Sequence, residues 1–416
     1  MLRQLMPSEI ERSIRPPVDP DAYKDAVKLV EEVKSGGLET LRSIGERFGD
    51  IQSGDPLIYR RDDLERALNS LSEADQALLK RVGARIEAFA EAQKASLSIM
   101  TMDIPGGQAG HRVDPVERAA CYAPGGRFPL PSTVLMTAVT ARVAGVSEIW
   151  VISPKPTPVT LAAAAVAGAD ALLAVGGAHA IGAVTFGAGE IPACDVIVGP
   201  GNKWVTAAKQ YVSGWVGIDM LAGPSELLVF ADDSASPSTV AKDLLGQAEH
   251  DDDAYPILVS TSQSLIDAVN VALGEELETL ETAATARNAL KNGFAVLVDN
   301  REQGIDVCNQ LAPEHLEIMV ENPREAADQC DHFGGVFIGE GAAEVFGDYG
   351  VGPNHVLPTG RGARFVGGLS VFNFLKIRTW LSSPSRFDSE LIEDTVRLAE
   401  LEGLAAHARS AAARRS

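Results

Sequence analysis

Ser236-Pro237-Ser238-Thr239-Val240 reads as a helix start, with a serine cap and a proline at the first helical position. The apolar stripe of that helix runs Val240, Leu244, and its next place is taken by Gln247, with His250 one turn further on. At i and i+3 the two share one face and point where core residues belong. An amide and an imidazole buried together need partners, which a bound cation or a hydrogen-bond network would supply. Ala312-Pro313-Glu314-His315-Leu316 falls between a helical pattern and an apolar strand pattern. Adjacent carboxylate and imidazole can act as base and water activator near neutral pH, or form an ordinary surface pair. Phe346-Gly347-Asp348-Tyr349-Gly350 and Gly352-Pro353-Asn354-His355 place a carboxylate and an imidazole in one Gly- and Pro-rich loop. Loops of that composition hold backbone at unusual dihedrals for a purpose. Of seven histidines, three lie in these motifs, and His407 is a further, isolated candidate.

No G-x-G-x-x-G follows a strand pattern, so the usual dinucleotide fingerprint is absent. Three glycine-bearing turns remain: Pro124-Gly125-Gly126, Gly176-Gly177 and Gly199-Pro200-Gly201-Asn202. Each could bring backbone close to a phosphate at a helix start.

Positioning these groups takes alternating strands and helices. Glu148–Ser153, Ala171–Val175, Asp195–Val198 and Leu227–Phe230 read as strands of a first series, with helices between them and one from Lys203 to Val212. A second series follows at Ile257–Ser260, Ala295–Val298, Leu316–Val320 and Gly335–Ile338. Such β-α-β winding predicts parallel sheets in two lobes facing a cleft, with ligands at the strand C-terminal ends. Residues 1–120 read as mostly helical, through Asp21–Val33 and Ser72–Ala95, and the chain becomes helical again after Phe374.

Composition narrows the class. The 416 residues carry a net charge of −21, which argues against nucleic-acid or anionic-membrane surfaces. Cys121, Cys194, Cys308 and Cys330 are scattered, as reduced core thiols are. The apolar tract from Val159 to Val184 is broken by Asp170, His179 and Gly176-Gly177, so it reads as helix and strand and not as a membrane span. Charges in the first residues leave no signal-peptide pattern, and a cytoplasmic location is expected.

Taken in order, Tyr122-Ala123-Pro124-Gly125-Gly126, Ser132-Thr133-Val134-Leu135-Met136, GPGNKWVTAAK from Gly199, AGPSE from Ala222, GQAEHD from Gly246, APEHLE from Ala312, GDYGVGPNHVLPTG from Gly347 and EGLAAH from Glu402 resemble the histidinol dehydrogenase family along nearly the whole chain. The resemblance implies two incomplete Rossmann-like lobes with parallel sheets, plus helical N- and C-terminal pieces that intertwine a homodimer with shared active sites. Its implied divisions are an arm at 1–20, a metal-binding lobe from 21–121 and 226–370, an NAD-binding lobe at 122–225, and a tail at 371–416 docking on the partner subunit. It implies one Zn2+ per subunit, held by Gln247, His250, Asp348 and a His407 supplied by the partner's tail. Glu314 and His315 would be the acid–base pair. Substrate contacts would come from Ser225, His355 and Glu402, with His315 and the metal ligands, and NAD contacts from Tyr122, His179 and Asn202. The implied reaction is a four-electron oxidation of histidinol to histidine through the aldehyde. His179 departs from the family pattern, where glutamine stands. Arg127-Phe128-Pro129 looks more like a family branch that oxidises a sulfonated diol, whose sulfonate an arginine could pair. On residue chemistry alone, a metal-dependent hydrolase could use the same ligands and glutamate.

Overall fold

The computed structural model describes residues 2–13, 18–125, 129–384 and 386–415. The chain divides into two compact units, Met1–Glu91 with Val116–Phe374, and Ala92–Pro115 with Leu375–Ser416.

The first unit holds two six-stranded sheets. One contains β2 (Ile58–Arg60), β5 (Arg118–Tyr122), β6 (Glu148–Ile152), β7 (Ala171–Leu173), β8 (Val196–Val198) and β9 (Gly217–Ile218), in the order β2-β7-β6-β5-β8-β9. The other contains β1 (Arg3–Leu5), β10 (Glu226–Ala231), β11 (Tyr255–Ser260), β12 (Phe294–Leu297), β13 (His315–Met319) and β14 (Gly335–Ile338), in the order β1-β12-β11-β10-β13-β14. All neighbours pair in parallel except β2 with β7. The orders are the same pattern twice: the first strand of each run sits centrally, two more step one way, and the next two reverse to its other side.

Helices supply the crossovers. Ahead of the first run lie α1 (Pro20–Phe48), α2 (Arg61–Ser70) and α3 (Glu73–Ala95). Within it are α4 (Pro131–Ala144), α5 (Pro158–Ala167), α6 (Gly177–Phe186) and α7 (Lys203–Val212). Within the second run are α8 (Pro237–Ala248), α9 (Gln263–Glu276), α10 (Ala283–Ala289), α11 (Arg301–Leu311) and α12 (Pro323–Ala327), followed by the short α13 (Glu344–Asp348). Both faces of the second sheet are covered, one by Val229, Leu244, Leu258 and Val269, the other by Phe230, Val259, Ile305 and Leu316. That is why its strands are near-continuous apolar runs.

The second unit is an antiparallel sheet of β3 (Met100–Ile104), β4 (Gly107–Pro115) and β15 (Leu375–Ser382), with α14 (Ser389–Leu401) and α15 (Ala405–Ala412). The two helices share a small core of Ile392, Val396, Ala399 and Ala408.

Three expectations are corrected. Leu227–Phe230 does not close the first series; it is central in the second sheet. Residues 1–120 are mostly helical, through α1, α2 and α3, but they also hold the unforeseen β1 to β5, and the stretch after Phe374 begins with β15 before its two helices. These antiparallel strands escape a periodicity reading because Met100, Met102, Ile377 and Leu381 are exposed, so no buried face marks them. No helix among the described residues is long and apolar enough to cross a membrane, and the four cysteines are buried and free.

Candidate functional site

The site is built at the junction of β10 and β13. Glu314 and His315 follow the C-terminus of α11, where Ala312 takes a left-handed turn (φ 48) that ends the helix and directs the chain into the sheet. The neighbouring strand opens with Glu226, and the two glutamates clasp each other. The Glu226 N–H donates to Glu314 Oε2 at 2.9 Å, and the Glu314 N–H donates to Glu226 Oε2 at 3.3 Å. Glu226 Oε1 also accepts the Gly360 N–H at 3.0 Å. His315 donates from Nδ1 to the Glu226 carbonyl at 3.0 Å, which leaves Nε2 as the lone-pair nitrogen, buried and without a partner.

Burial governs protonation here. It drives Glu314 well above the usual carboxylate range, with Glu226 and Asp348 adding repulsion, and it lifts Glu226 to about 7. It lowers His315 to about 4 against the pull of the Asp348 carboxylate. His315 is therefore a neutral imidazole at neutral pH, as a general base must be.

Asp348, at the end of α13, faces three imidazoles. Its oxygens lie 3.7 Å from His250 Nε2, 3.9 Å from His315 Nε2 and 3.7 Å from His355 Nδ1. These separations exceed hydrogen-bond length. They approach the ~3.4 Å spacing of donors around a tetrahedral zinc with ~2.1 Å bonds. His250, Asp348 and the buried Glu344 each offer an atom within 4.8 Å of the others. Gln247 is fully buried and neither of its amide atoms has a hydrogen-bond partner. An unpaired buried amide is costly, so this donor set fits a cation better than an empty core. His355 is not free to turn: Nδ1 donates to the Asp348 carbonyl at 3.0 Å, and the Thr133 hydroxyl on α4 donates to Nε2 at 3.1 Å. Burial lowers the His355 imidazole pKa as well.

The glycine turns lie at the other sheet's strand C-terminal ends. Gly199 follows β8 with φ 110, and a Cβ there would meet the Tyr122 carbonyl at 2.0 Å. Only glycine fits. The turn is fastened from below, where the buried Lys209 ammonium donates to the Gly199 carbonyl at 2.9 Å and pairs with Asp219, which accepts the Gly199 N–H at 2.6 Å. Removing one partner of such a buried pair costs about 3–5 kcal/mol. At Gly176-Gly177, the Tyr122 hydroxyl accepts the Gly177 N–H at 3.1 Å, and Asp50 accepts both the Gly176 N–H at 2.9 Å and His179 Nε2–H at 3.2 Å. His179 Nδ1 is left buried without a partner. A Cβ at Gly176 would fill the space before Pro154 and Tyr122. Asn202 caps α7 by accepting from Trp204 and Val205, and the helix N-termini beyond both turns favour negative charge.

The structure thus brings together His250, Glu314, His315, Asp348 and His355, with Gln247 buried on α8 three residues before His250, and sets Tyr122 from β5 and His179 from α6 against the Gly176-Gly177 turn. Ser225 sits partly buried just ahead of Glu226, its carbonyl accepting from Tyr255 at 2.9 Å. Glu402 ends α14 and His407 lies on α15, both exposed, in the second unit. Gly126, Arg127 and Phe128, where the sulfonated-diol resemblance falls, lie outside the described residues. Sequence reasoning missed Glu226, Glu344, Asp50 and Thr133. For Glu226 a signal existed, a carboxylate heading an apolar run.

One expectation is corrected by this geometry. Ligand groups were expected at strand C-terminal ends, yet Glu226 and His315 begin β10 and β13 and so stand at the N-terminal ends of the second sheet.

Comparison with known proteins bears on the whole chain. The sequence profile of the family described as histidinol dehydrogenase matches residues 14–415. The histidinol dehydrogenase of Thermus thermophilus is 44% identical over 392 residues, covering 93% of this chain and 95% of that protein. That of Pseudomonas fluorescens is 39% identical over 400 residues, covering 94% and 90%. A crystal structure of histidinol dehydrogenase from Elizabethkingia anophelis superposes with a TM-score of 0.92 at 32% identity, covering 99% of this chain and 98% of that one. With its site geometry, its two sheets and its full-length matches in agreement, the chain belongs to the histidinol dehydrogenase family.

Proposed function

We propose that this chain oxidises L-histidinol to L-histidine through the aldehyde, using NAD and a zinc ion. The observation that carries the reading is the neutral, lone-pair Nε2 of His315, 3.9 Å from Asp348 and backed by the Glu226 clasp. Gln247, His250 and Asp348 would hold zinc, with His407 of the partner subunit as the fourth ligand. The ion, when bound, supplies a cationic template that fixes the substrate's amine and imidazole. NAD, when bound, supplies the hydride acceptor for each of the two oxidations. Its contacts fall to Tyr122, His179 and Asn202, in a cofactor lobe of residues 122–225 set against a metal lobe of 226–370 and 21–121.

His315 takes the hydroxyl proton as the carbinol hydride departs. Its Nδ1–H bond to the Glu226 carbonyl holds the tautomer this needs. Glu314, in its ionised form, then draws a proton from the water that adds to the aldehyde, its proton affinity raised by burial, and the second hydride leaves from that hydrate. Ser225, His355 and Glu402 orient the substrate.

The test is nicotinamide absorbance with histidinol and dihydroxypropanesulfonate side by side. Two reduced nicotinamides per histidinol, and none from the sulfonate, are expected. No reduction with histidinol overturns the reading, and hydrolysis without nicotinamide would favour a metal-dependent hydrolase. Shared sites are tested by mixing His250→Ala and His407→Ala subunits. Partial recovery of activity is expected, and none after verified exchange overturns the shared site.

A further inference from the structure

The C-terminus of α1 aims two side chains at the start of α6. Gly49 takes a left-handed conformation (φ 70), its N–H donates to the Glu46 carbonyl at 3.0 Å, and the Asp50 N–H donates to the Gly45 carbonyl at 2.8 Å. Bonds of this kind close a helix and fix the residue after the glycine. The helix end also comes close to the sheet, since a Cβ at Gly45 would meet Val175 Cγ1 at 2.6 Å, just past β7. From this fixed end the Phe48 ring lies 5.6 Å from the His179 ring. One oxygen of Asp50, Oδ2, accepts both the Gly176 N–H at 2.9 Å and His179 Nε2–H at 3.2 Å.

A carboxylate can only accept, so this bond holds the imidazole with its proton on Nε2 and its lone pair on Nδ1. His179 is only 2% exposed, and Nδ1 has no partner among the described residues. It looks onto the glycine turn: a Cβ at Gly177 would lie 3.2 Å from Nδ1, and one at Gly176 would lie 2.9 Å from the Tyr122 hydroxyl oxygen. That hydroxyl accepts the Gly177 N–H at 3.1 Å, and a hydroxyl that accepts still has its own proton to donate. The space before the two glycines is thus bordered by a bare acceptor and a donor, which suits a group able to do both. Asp50 already supplies the negative charge that the start of α6 favours. A hydroxyl matches this turn better than a phosphate, which would bring acceptor to acceptor and charge to like charge.

We propose that Asp50 is a positioning residue that holds His179 with Nδ1 as a bare acceptor, and that Nδ1 takes a hydrogen bond from a ribose hydroxyl of NAD in front of Gly176-Gly177. The inference rests on the NAD reading above and deepens it, by naming the chemical group that His179 reads and the residue that sets its tautomer. The hydroxyls of a dinucleotide all belong to its two riboses, so removing them one at a time identifies the one that is read.

The experiment titrates the purified full chain with NAD by calorimetry, without substrate so that no turnover enters, and follows thermal unfolding alongside. H179A should weaken NAD roughly tenfold, as the loss of one buried hydrogen bond does. One NAD analogue lacking a single ribose hydroxyl should bind the unsubstituted chain more weakly by a similar factor, and H179A should bind that analogue and NAD alike. D50A should approach H179A, and D50A/H179A should lose no more than H179A alone, because Asp50 acts through the ring. D50N should stay close to the unsubstituted chain, since one amide oxygen can accept both N–H groups as Oδ2 does. If D50A does not fold, H179A and the analogues decide the matter. Folded H179A with undiminished NAD affinity overturns the proposal, as does an analogue series whose penalties are the same on H179A as on the unsubstituted chain. Additive losses in D50A/H179A overturn it too, because Asp50 would then serve the Gly176 backbone only. So does D50N as damaged as D50A, which would mean that Asp50 acts by its charge. An unsubstituted chain that binds no NAD overturns the NAD reading itself, and the inference with it.

Discussion

The two sheets of the first unit share one strand order and are put to opposite electrical use. In the sheet around β5, the polar groups gather at strand C-terminal ends, where α6 and α7 begin. Helix N-termini carry partial positive charge and unpaired N–H groups, and glycine turns there let a phosphate come close. In the sheet around β10, the acids and imidazoles gather at strand N-terminal ends, just after α8 and α11 finish. Helix C-termini carry partial negative charge and favour a cation. One topology thus offers an anion end and a cation end, and the choice is made by which rim of the sheet carries the loops with chemistry.

That contrast can be broken by substitution. The largest effect is expected from His250→Ala, which should remove bound zinc and reduce turnover to background while leaving NAD binding intact. Metal analysis of the folded variant is the check, and full zinc occupancy would refute the cation end. Next come Glu314→Gln and His315→Asn, which should keep zinc and lose roughly a hundredfold or more in rate. Glu314→Gln should slow aldehyde oxidation more than alcohol oxidation, and equal losses in both half-reactions would count against that division.

Gly199→Ala addresses the other sheet. Its φ of 110 and the crowding against Tyr122 should raise KM for NAD by about tenfold, from strain of order 1–3 kcal/mol, with zinc content unchanged. A loss of zinc instead would mean that the ends are not separable.

The last effect falls on stability and not on rate, and it is a slope in pH. Glu226 has its ordinary pKa of 4.5 in the unfolded chain and about 7 when folded. Between those values the folded chain keeps a proton that the unfolded chain has lost, so this contribution is complete below about 4.5 and falls as pH rises, by about 3 kcal/mol in all. Glu226→Gln should therefore be least competitive with the unsubstituted chain at low pH, and the gap in denaturant stability should narrow towards pH 7. A gap that stays constant or widens would show that burial does not raise the Glu226 carboxyl.

Much of this was legible in the sequence, for local reasons. Gln247 and His250 stand out because they interrupt an apolar helical stripe, and a stripe is a local pattern. Buried parallel strands advertise themselves as apolar runs. Glu226 and Glu317 carry a weaker mark, a carboxylate at the head of or inside an apolar run. Their meaning depends on the pairing of Leu227 with His315 and on a helix starting at Glu344, which are contacts across 88 and 27 residues. Asp50 is similar, since it meets His179 only through the fold. A carboxylate inside an apolar strand such as HLEIM is the nearest thing to a signal for Glu317.

The edge of the second sheet has a consequence for synthesis. β1 pairs in parallel with β12, Arg3 beside Phe294. At roughly 5–20 residues per second, the ribosome makes that partner some 15–60 s after β1. During that interval β1 is an unpaired strand held apart from its sheet, open to other unfinished chains or to a chaperone. Sheet closure therefore comes late in translation, so factors that shield nascent chains, or an upstream fusion that crowds β1, would act on yield before they acted on catalysis.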